Sequence, residues 1–348
     1  MMKTTTQRRH SQGFGLVELM ISITLGLLLT AAVLQTFIAA NTSYRIQDSL
    51  SQIQEAGRYT LHFLGKDLRM AGYMGCASID TVPINILSSN PPDDVKDMGS
   101  ATAVVGQNNI AAGNALDAVP GTDTIKIRRA SSASAQLTGN LDSENANIKI
   151  LGNAIGLQKG DYVFITDCLS ADLFTATSVS NNTGTVTIAH ANNVNIDNKL
   201  SKAYGADAEI FAFETVDYFV RDTGRTTTNG NPVHALYIQR RSAGSGGAAP
   251  TAYELVEGVE DLQITYGEDT NDDANIDRYV DAANVANWSE VLSVRLELLL
   301  VGDDDNVVHT TGSDLTQVVE YNGANIANND GRYRRALTNV FAIRNKLP

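Results

Sequence analysis

Between Glu18 and Arg45 the chain carries 26 consecutive uncharged residues, LMISITLGLLLTAAVLQTFIAANTSY, behind a 13-residue prefix whose only charges are Lys3, Arg8 and Arg9. A helix crossing a bilayer core needs about 20 mostly apolar residues, so the run can span a membrane over about residues 16–40. The cations precede it, and the positive-inside rule then keeps residues 1–13 cytoplasmic and exports the remainder. Three plainer uses compete. A cleaved secretory signal has an apolar stretch of about 7–15 residues that ends at a small-x-small site. Ala39 and Ala40 imitate such a site, but this run is longer and starts beside Glu18. A plain signal anchor has no use for Glu18, and a buried core helix has none for the cationic prefix.

The helical pattern continues past the apolar run. Ile46, Leu50, Ile53, Gly57, Leu61, Leu64 and Leu68 follow one another at spacings of three or four, which is one stripe of an amphipathic helix. No proline occurs before Pro83, and Gly72 suits a stop after Ala71. The pattern predicts one helix over 14–71, roughly 87 Å at 1.5 Å per residue, apolar all round in its first half and burying one stripe in its second.

Beyond Gly72 the chain turns rich in Thr, Asn, Gly, Ser and β-branched residues. Residues 77–121, with Pro83, Pro91, Pro92 and Pro120, read as loops with short elements. Strands are expected at 124–129, 148–151, 162–166, 183–189, 210–221, 234–240, 262–266 and 291–301. The last of these is clearest: Leu292, Val294, Leu296, Leu298 and Leu300 point one way, Ser293, Arg295 and Glu297 the other. Residues 335–347 read as a strand or a helix, and 242–250, SAGSGGAAP, as a flexible loop. One long helix followed by strands puts the expected fold in the α+β class. A composition of 43% hydrophobic and 19% charged residues is that of a globular chain. A net charge of -13 argues against direct nucleic-acid binding, since phosphates need a positive face. His10, His62, His190, His234 and His309 show no metal-ligand spacing, and no phosphate-binding glycine loop, GxSxG or HExxH occurs. The sequence carries no enzyme signature.

Residues 13–29, GFGLVELMISITLGLLL, closely resemble the type IV prepilin processing motif. The resemblance implies a leader of residues 1–13 ending at Gly13, cleavage by a prepilin peptidase between Gly13 and Phe14, and N-methylation of the new amino terminus at Phe14. Glu18 would be the acidic residue five places into the mature chain. A carboxylate in an apolar helix costs several kcal/mol if unpaired, and a neighbouring subunit's amino terminus can neutralise it and fix the register of packing. Phe14 and Glu18 are therefore expected to carry assembly; Glu18 could also snorkel to the headgroups while the subunit waits in the membrane. Cleavage removes three cations and no carboxylate, taking the formal charge from -13 to -16. Major pilins usually have a proline where this chain has Gln35, so a straighter helix is expected.

The resemblance narrows further along the chain. GYMGC at 72–76, VEGVEDLQITYGEDTNDDANIDRYV at 256–280, Trp288 before SVRLELLL, and the ending RYRRALTNVFAIRNKLP are similar to the PilW-type minor pilins. That family implies a pilin-like fold with a periplasmic head over 72–348, of which 77–205 is a loop and β-rich insertion. It implies a single-pass protein of the inner membrane that later enters the pilus, priming or capping it. Other minor and major pilins, the inner-membrane assembly platform and the membrane are the partners implied. A type II secretion pseudopilin of the J type is the near alternative. An adhesin or ligand-binding module displayed at a filament tip is one of another class.

Cys76 and Cys168 are the only cysteines. In an exported head facing an oxidising compartment one disulfide between them is expected, closing a loop of about 90 residues and stabilising by about 4 kcal/mol in the chain-entropy model. Two buried thiols are the alternative. Asp269, Asn271, Asp273, Asn275 and Asp277 alternate as calcium ligands do in a turn. Ala274 stands where an EF-hand needs glycine and Val280 where it needs a bidentate Glu, so a full EF-hand is excluded. Either a partial, pilin-like calcium loop or an acidic solvated turn fits the spacing, and no other cofactor is expected.

Overall fold

A computed structural model describes residues 15–346, except 97, 183 and 309–314. One α-helix, α1, runs without a break over Leu16–Arg69, through Gln35. Its first half is built from Leu, Ile, Ala and Met, most of them strong helix formers. The hydroxyls of Ser22, Thr24, Thr30, Thr36 and Thr42 all donate to carbonyls three or four residues back, at 2.7–3.0 Å. Bonded in this way, they ask nothing of the surroundings. The helix ends in a tightened turn, with Met70 N and Ala71 N donating to Asp67 O and Leu68 O at 3.1 and 3.2 Å. Gly72, at φ +71°, then turns the chain away.

The chain divides into two compact units, Met1–Asp48 and Ser49–Pro348. In the first, every described residue from 15 to 40 is exposed. The second holds the rest of α1 and all the strands. Here α1 buries Ser49, Ile53, Gly57, Thr60, Leu64, Gly65, Asp67 and Leu68. Ile53, Gly57, Leu64 and Leu68 of the expected stripe are buried; Ile46, Leu50 and Leu61 are half-buried.

This stripe lies on an antiparallel sheet of four strands, in the order Arg278–Asp281, Val259–Glu268, Val291–Val301, Arg334–Ala342. Alternation in the third strand sends Val294, Leu296, Leu298 and Leu300 into the core as expected. Two glycines let α1 come close. A methyl group at Gly57 would strike Leu337 and sit 2.8 Å from Leu300 Cδ1. One at Gly65 would strike the Phe341 ring, 2.7 Å from its Cζ.

A second, eight-stranded sheet is organised by one long strand, Glu209–Thr226. Along one edge this strand pairs first with Tyr162–Thr166 and then with Pro232–Arg241; along the other it pairs with Thr124–Gln136. One strand that serves three partners in succession bends the sheet. Val104–Gln107, Ala171–Thr175, Ala252–Glu257 and the short parallel strand Ile84–Ile86 complete it. Its inner face and that of the four-stranded sheet meet with α1 in one core, where Leu64, Leu68, Ile125, Tyr218, Leu236, Leu262, Tyr266 and Leu298 are all buried. A separate core, with Ile148, Ile150, Val186, Ile188 and Tyr204, lies under the three-stranded sheet of Ile148–Leu151, Thr185–Ala189 and Ser178–Asn182.

The architecture is α+β. Residues 335–347, open between strand and helix, form the strand Arg334–Ala342 and a 3-10 turn at Arg344–Lys346. Several strands lie outside the periodicity: Ile84–Ile86, Val104–Gln107, Ala171–Thr175, Ser178–Asn182, Ala252–Glu257, Arg278–Asp281 and the hairpin Gln317–Tyr321/Ala324–Asn328. They are short or polar, and many are formed by pairing at an edge rather than by burial of one face.

The glycine contact is directly testable. A rigid ring cannot yield as a leucine tip can, so Gly65→Ala should cost about 1–3 kcal/mol by overpacking. It should lower the melting temperature of the detergent-solubilised chain, and Phe341→Leu should recover part of the loss.

Candidate assembly site

Gly13 and Phe14 lie outside the described residues. Glu18 stands in the first turn of α1, where its Oε2 accepts from Gly15 N at 3.1 Å while Leu19 N donates to Gly15 O at 3.1 Å. Gly15 is thus the cap and Glu18 the third helical residue, reaching back as in the acidic half of a capping box. A carboxylate here also meets the positive end of the helix dipole. Beyond it the apolar surface, through residue 40, is exposed among the described residues. Leu29, Ala32, Val33, Thr36, Phe37 and Ala40 shape a shallow groove of about 440 Å³. Close approach between apolar helices favours small residues at such places.

The other end of α1 is fixed by Asp67, which is 2% exposed. Its Oδ2 accepts from the Tyr218 hydroxyl at 2.7 Å and from Arg240 at 2.8 Å; its Oδ1 lies 3.1 Å from Arg129. Arg129 also reaches Glu214 at 3.0 Å. Burial and the adjacent Asp67 push the Tyr218 phenol well above its ordinary range, so it remains a donor. The three partners come from three neighbouring strands of the large sheet, Thr124–Gln136, Glu209–Thr226 and Pro232–Arg241. One carboxylate therefore joins the end of α1 to that sheet, while the apolar stripe joins α1 to the other. The sequence analysis missed this cluster. Its signal was present: Asp67 sits between Leu64 and Leu68 of the buried stripe, two positions after Gly65.

Asn345 strengthens the same end, donating from Nδ2 to Ala71 O at 2.9 Å. Cys76 follows closely, bonded to Cys168 across a sequence separation of 92. Both cysteines are exposed, so the alternative of two buried thiols is overturned. The bridge links the segment after α1 to the turn between Tyr162–Thr166 and Ala171–Thr175, beside a cluster of Met74, Ile79, Phe164, Leu173 and Phe211.

The loop of Asp269, Asn271, Asp273, Asn275 and Asp277 is bound largely to itself. Asp269 Oδ1 accepts from Asn271 N and Asp273 N at 3.2 Å, and its Oδ2 from Ala274 N at 2.7 Å. Asp273 Oδ1 takes Asn275 N at 2.8 Å. Asp277 Oδ2 takes both the amide and hydroxyl of Thr270 at 2.7 Å, bonds that hold its carboxyl below the usual range. Among the described residues no group of three or more His, Cys, Asp or Glu is arranged to hold a metal. These amides take up part of the acceptor capacity of the carboxylates, which a cation in the loop would have to share. Asp269, Asp272 and Ala274 border a cavity of about 620 Å³ together with Asp80, Glu290 and Lys346. Lys346 donates to Trp288 O at 2.6 Å, and burial lowers its ammonium to about 8.

Glu18, the disulfide and the acidic loop are thus separate features, each within one unit. Residues 8–34 match the model of the prokaryotic N-terminal methylation motif. Together with the exposed apolar half of α1, that motif fits a membrane-anchored pilin. Residues 217–345 match the model of type IV pilus-assembly protein W. The two matches, in this order along one chain, support a PilW-type pilin involved in type IV pilus assembly. Both families are structural or assembly proteins rather than enzymes. The second match contains all four strands under α1 as well as Tyr218 and Arg240, while 35–216 lies outside both. No curated protein matches the chain.

Removing one partner of a buried ionic cluster leaves charges unpaired. Asp67→Ala should therefore destabilise by about 3–5 kcal/mol, with Asp67→Asn costing less because it still accepts from Tyr218; urea unfolding followed by circular dichroism measures both. Replacing Cys76 and Cys168 together by Ser should lower stability by about 4 kcal/mol, and a reducing agent should give the intact protein a similar loss, since both sulfurs' residues are exposed.

Proposed function

We propose that the chain is a minor pilin that primes or caps the type IV pilus. A prepilin peptidase cleaves between Gly13 and Phe14 on the cytoplasmic side and the amine of Phe14 is methylated. The subunit waits in the inner membrane as a single-pass protein with residues 72–348 in the periplasm. It then joins other minor and major pilins through the assembly platform. The observation that carries this reading is an apolar half-helix left exposed by the described residues, under a methylation motif and joined to a head that the PilW model matches over 217–345.

Glu18 changes partners in this scheme. In the single chain it accepts from the Gly15 amide. In the assembled state the charged amine of a neighbour's Phe14 is a stronger donor, and a charge-assisted bond is roughly twice as strong as a neutral one. The exchange links assembly to correct axial register. Packing falls to the face from Leu16 to Phe37. This reading needs no cofactor. Structural calcium in loop 269–277 is a separate proposal that titration calorimetry decides: heat lost in Asp269→Asn places the ion there, and silence removes it.

In a strain lacking its own copy, Gly13→Ala should leave the leader in place, read as an unshortened mass. Glu18→Ala should be cleaved normally but yield no sheared pili. Normal processing and normal piliation in both variants would overturn the reading.

A further inference from the structure

Among the described residues the strand Arg334–Ala342 pairs with one strand, Val291–Val301, without a register shift. The direction of its backbone groups can be fixed. Tyr333 O accepts from Gly302 N at 2.9 Å and Ile343 N donates to Leu292 O at 2.8 Å, so odd positions face inward. Arg334 N and O instead bond the Gln317 side chain, at 2.7 and 2.9 Å. Alternation along an antiparallel strand then turns the N–H and C=O of Ala336, Thr338, Val340 and Ala342 outward. Asn339 Oδ1 takes one of these, Val340 N, at 2.8 Å. Among the described residues no strand pairs with this edge.

Exposed edges are usually blunted by proline, a bulge or an intervening charge. The stretch ALTNVFA, residues 336–342, has none of these. Thr338, Asn339, Val340 and Ala342 are exposed. Cations frame it at both ends. Arg335 and Arg344 are exposed and have no ion pair among the described residues. Arg69, at the end of α1, stands 5.3 Å from the Phe341 ring centre. In a chain of net charge -13 this is a local reversal of sign.

We propose that this edge receives an extended segment of a different, acidic subunit, which adds a fifth strand to the sheet with carboxylates near Arg335 and Arg344. Backbone bonds would supply the attachment and the cations the choice of partner. A second copy of this chain is disfavoured by its own charges. Antiparallel self-pairing centred on Asn339 sets Arg335 of one copy opposite Ile343 of the other, one position from Arg344, and like charges gathered at both ends of the pair repel. The proposal rests on the reading of the chain as a pilus subunit.

The test uses the full chain in a cell that assembles the pilus. Thr338→Pro removes one outward N–H and leaves the inner ladder intact. The double variant Arg335→Glu/Arg344→Glu reverses the frame without touching the backbone, and settles the matter if the proline variant fails to fold. Each should melt within a few degrees of wild type in detergent. Each should reduce sheared pili by about tenfold, as expected for one or two lost interface interactions. Folded variants with wild-type piliation, beside a Glu18→Ala strain without pili, overturn the edge proposal alone. Piliation in the Glu18→Ala strain as well would sink the functional reading instead. A Val340→Cys chain that cross-links chiefly to its own copy would overturn the choice of partner.

Discussion

One buried carboxylate in the last turn of α1 ties three strands together. Asp67 is reached by Arg129, Tyr218 and Arg240 from neighbouring strands of the large sheet, at 2.7–3.1 Å. A charge so deeply placed is tolerated only when its partners are in position. The helix end, the long strand Glu209–Thr226 and its neighbours therefore form one arrangement or none. The apolar stripe from Ile53 to Leu68 sets how closely α1 lies on the four-stranded sheet, but apolar contact is not directional. Asp67 adds the directional element, fixing the rotation of the helix against the head.

That division of roles explains what could be read in advance. The helix was legible because its signal is long and regular: the spacing from Ile46 to Leu68 predicts the buried face, and Ile53, Gly57, Leu64 and Leu68 occupy it. Val291–Val301 was legible for the same reason, since one of its faces is uniformly apolar. Edge strands such as Arg278–Asp281 and the hairpin at 317–328 were not, because they exist through pairing and bury little of their own. Asp67 escaped because a pattern of apolar residues treats a carboxylate as an interruption. Only the fold shows that the interruption faces inward.

The candidate assembly residues divide in a similar way. Glu18 could be proposed from a local motif that needs no folding partner. The sulfurs of Cys76 and Cys168 could be paired because the chain has no other cysteine. The acidic loop was ambiguous in sequence, since alternating Asp and Asn serve calcium and Asx turns alike. In the structure Asp269, Asp273 and Asp277 spend oxygens on the loop's own amides. The residues that make the junction of helix and head lie up to 173 positions apart in the chain, beyond the reach of any local pattern.

The hydroxyls of the apolar half-helix have a consequence for its mobility between surroundings. Ser22, Thr24, Thr30, Thr36 and Thr42 are each bonded to their own backbone. Moving such a segment from lipid into a sheath of similar helices breaks none of those bonds and makes none. With Glu18 set aside, the two environments are close to equivalent for these side chains. Little hydroxyl chemistry then opposes withdrawal from the bilayer or return to it. Under the proposed function, direction between lipid and filament must come from elsewhere, from packing shape and from Glu18.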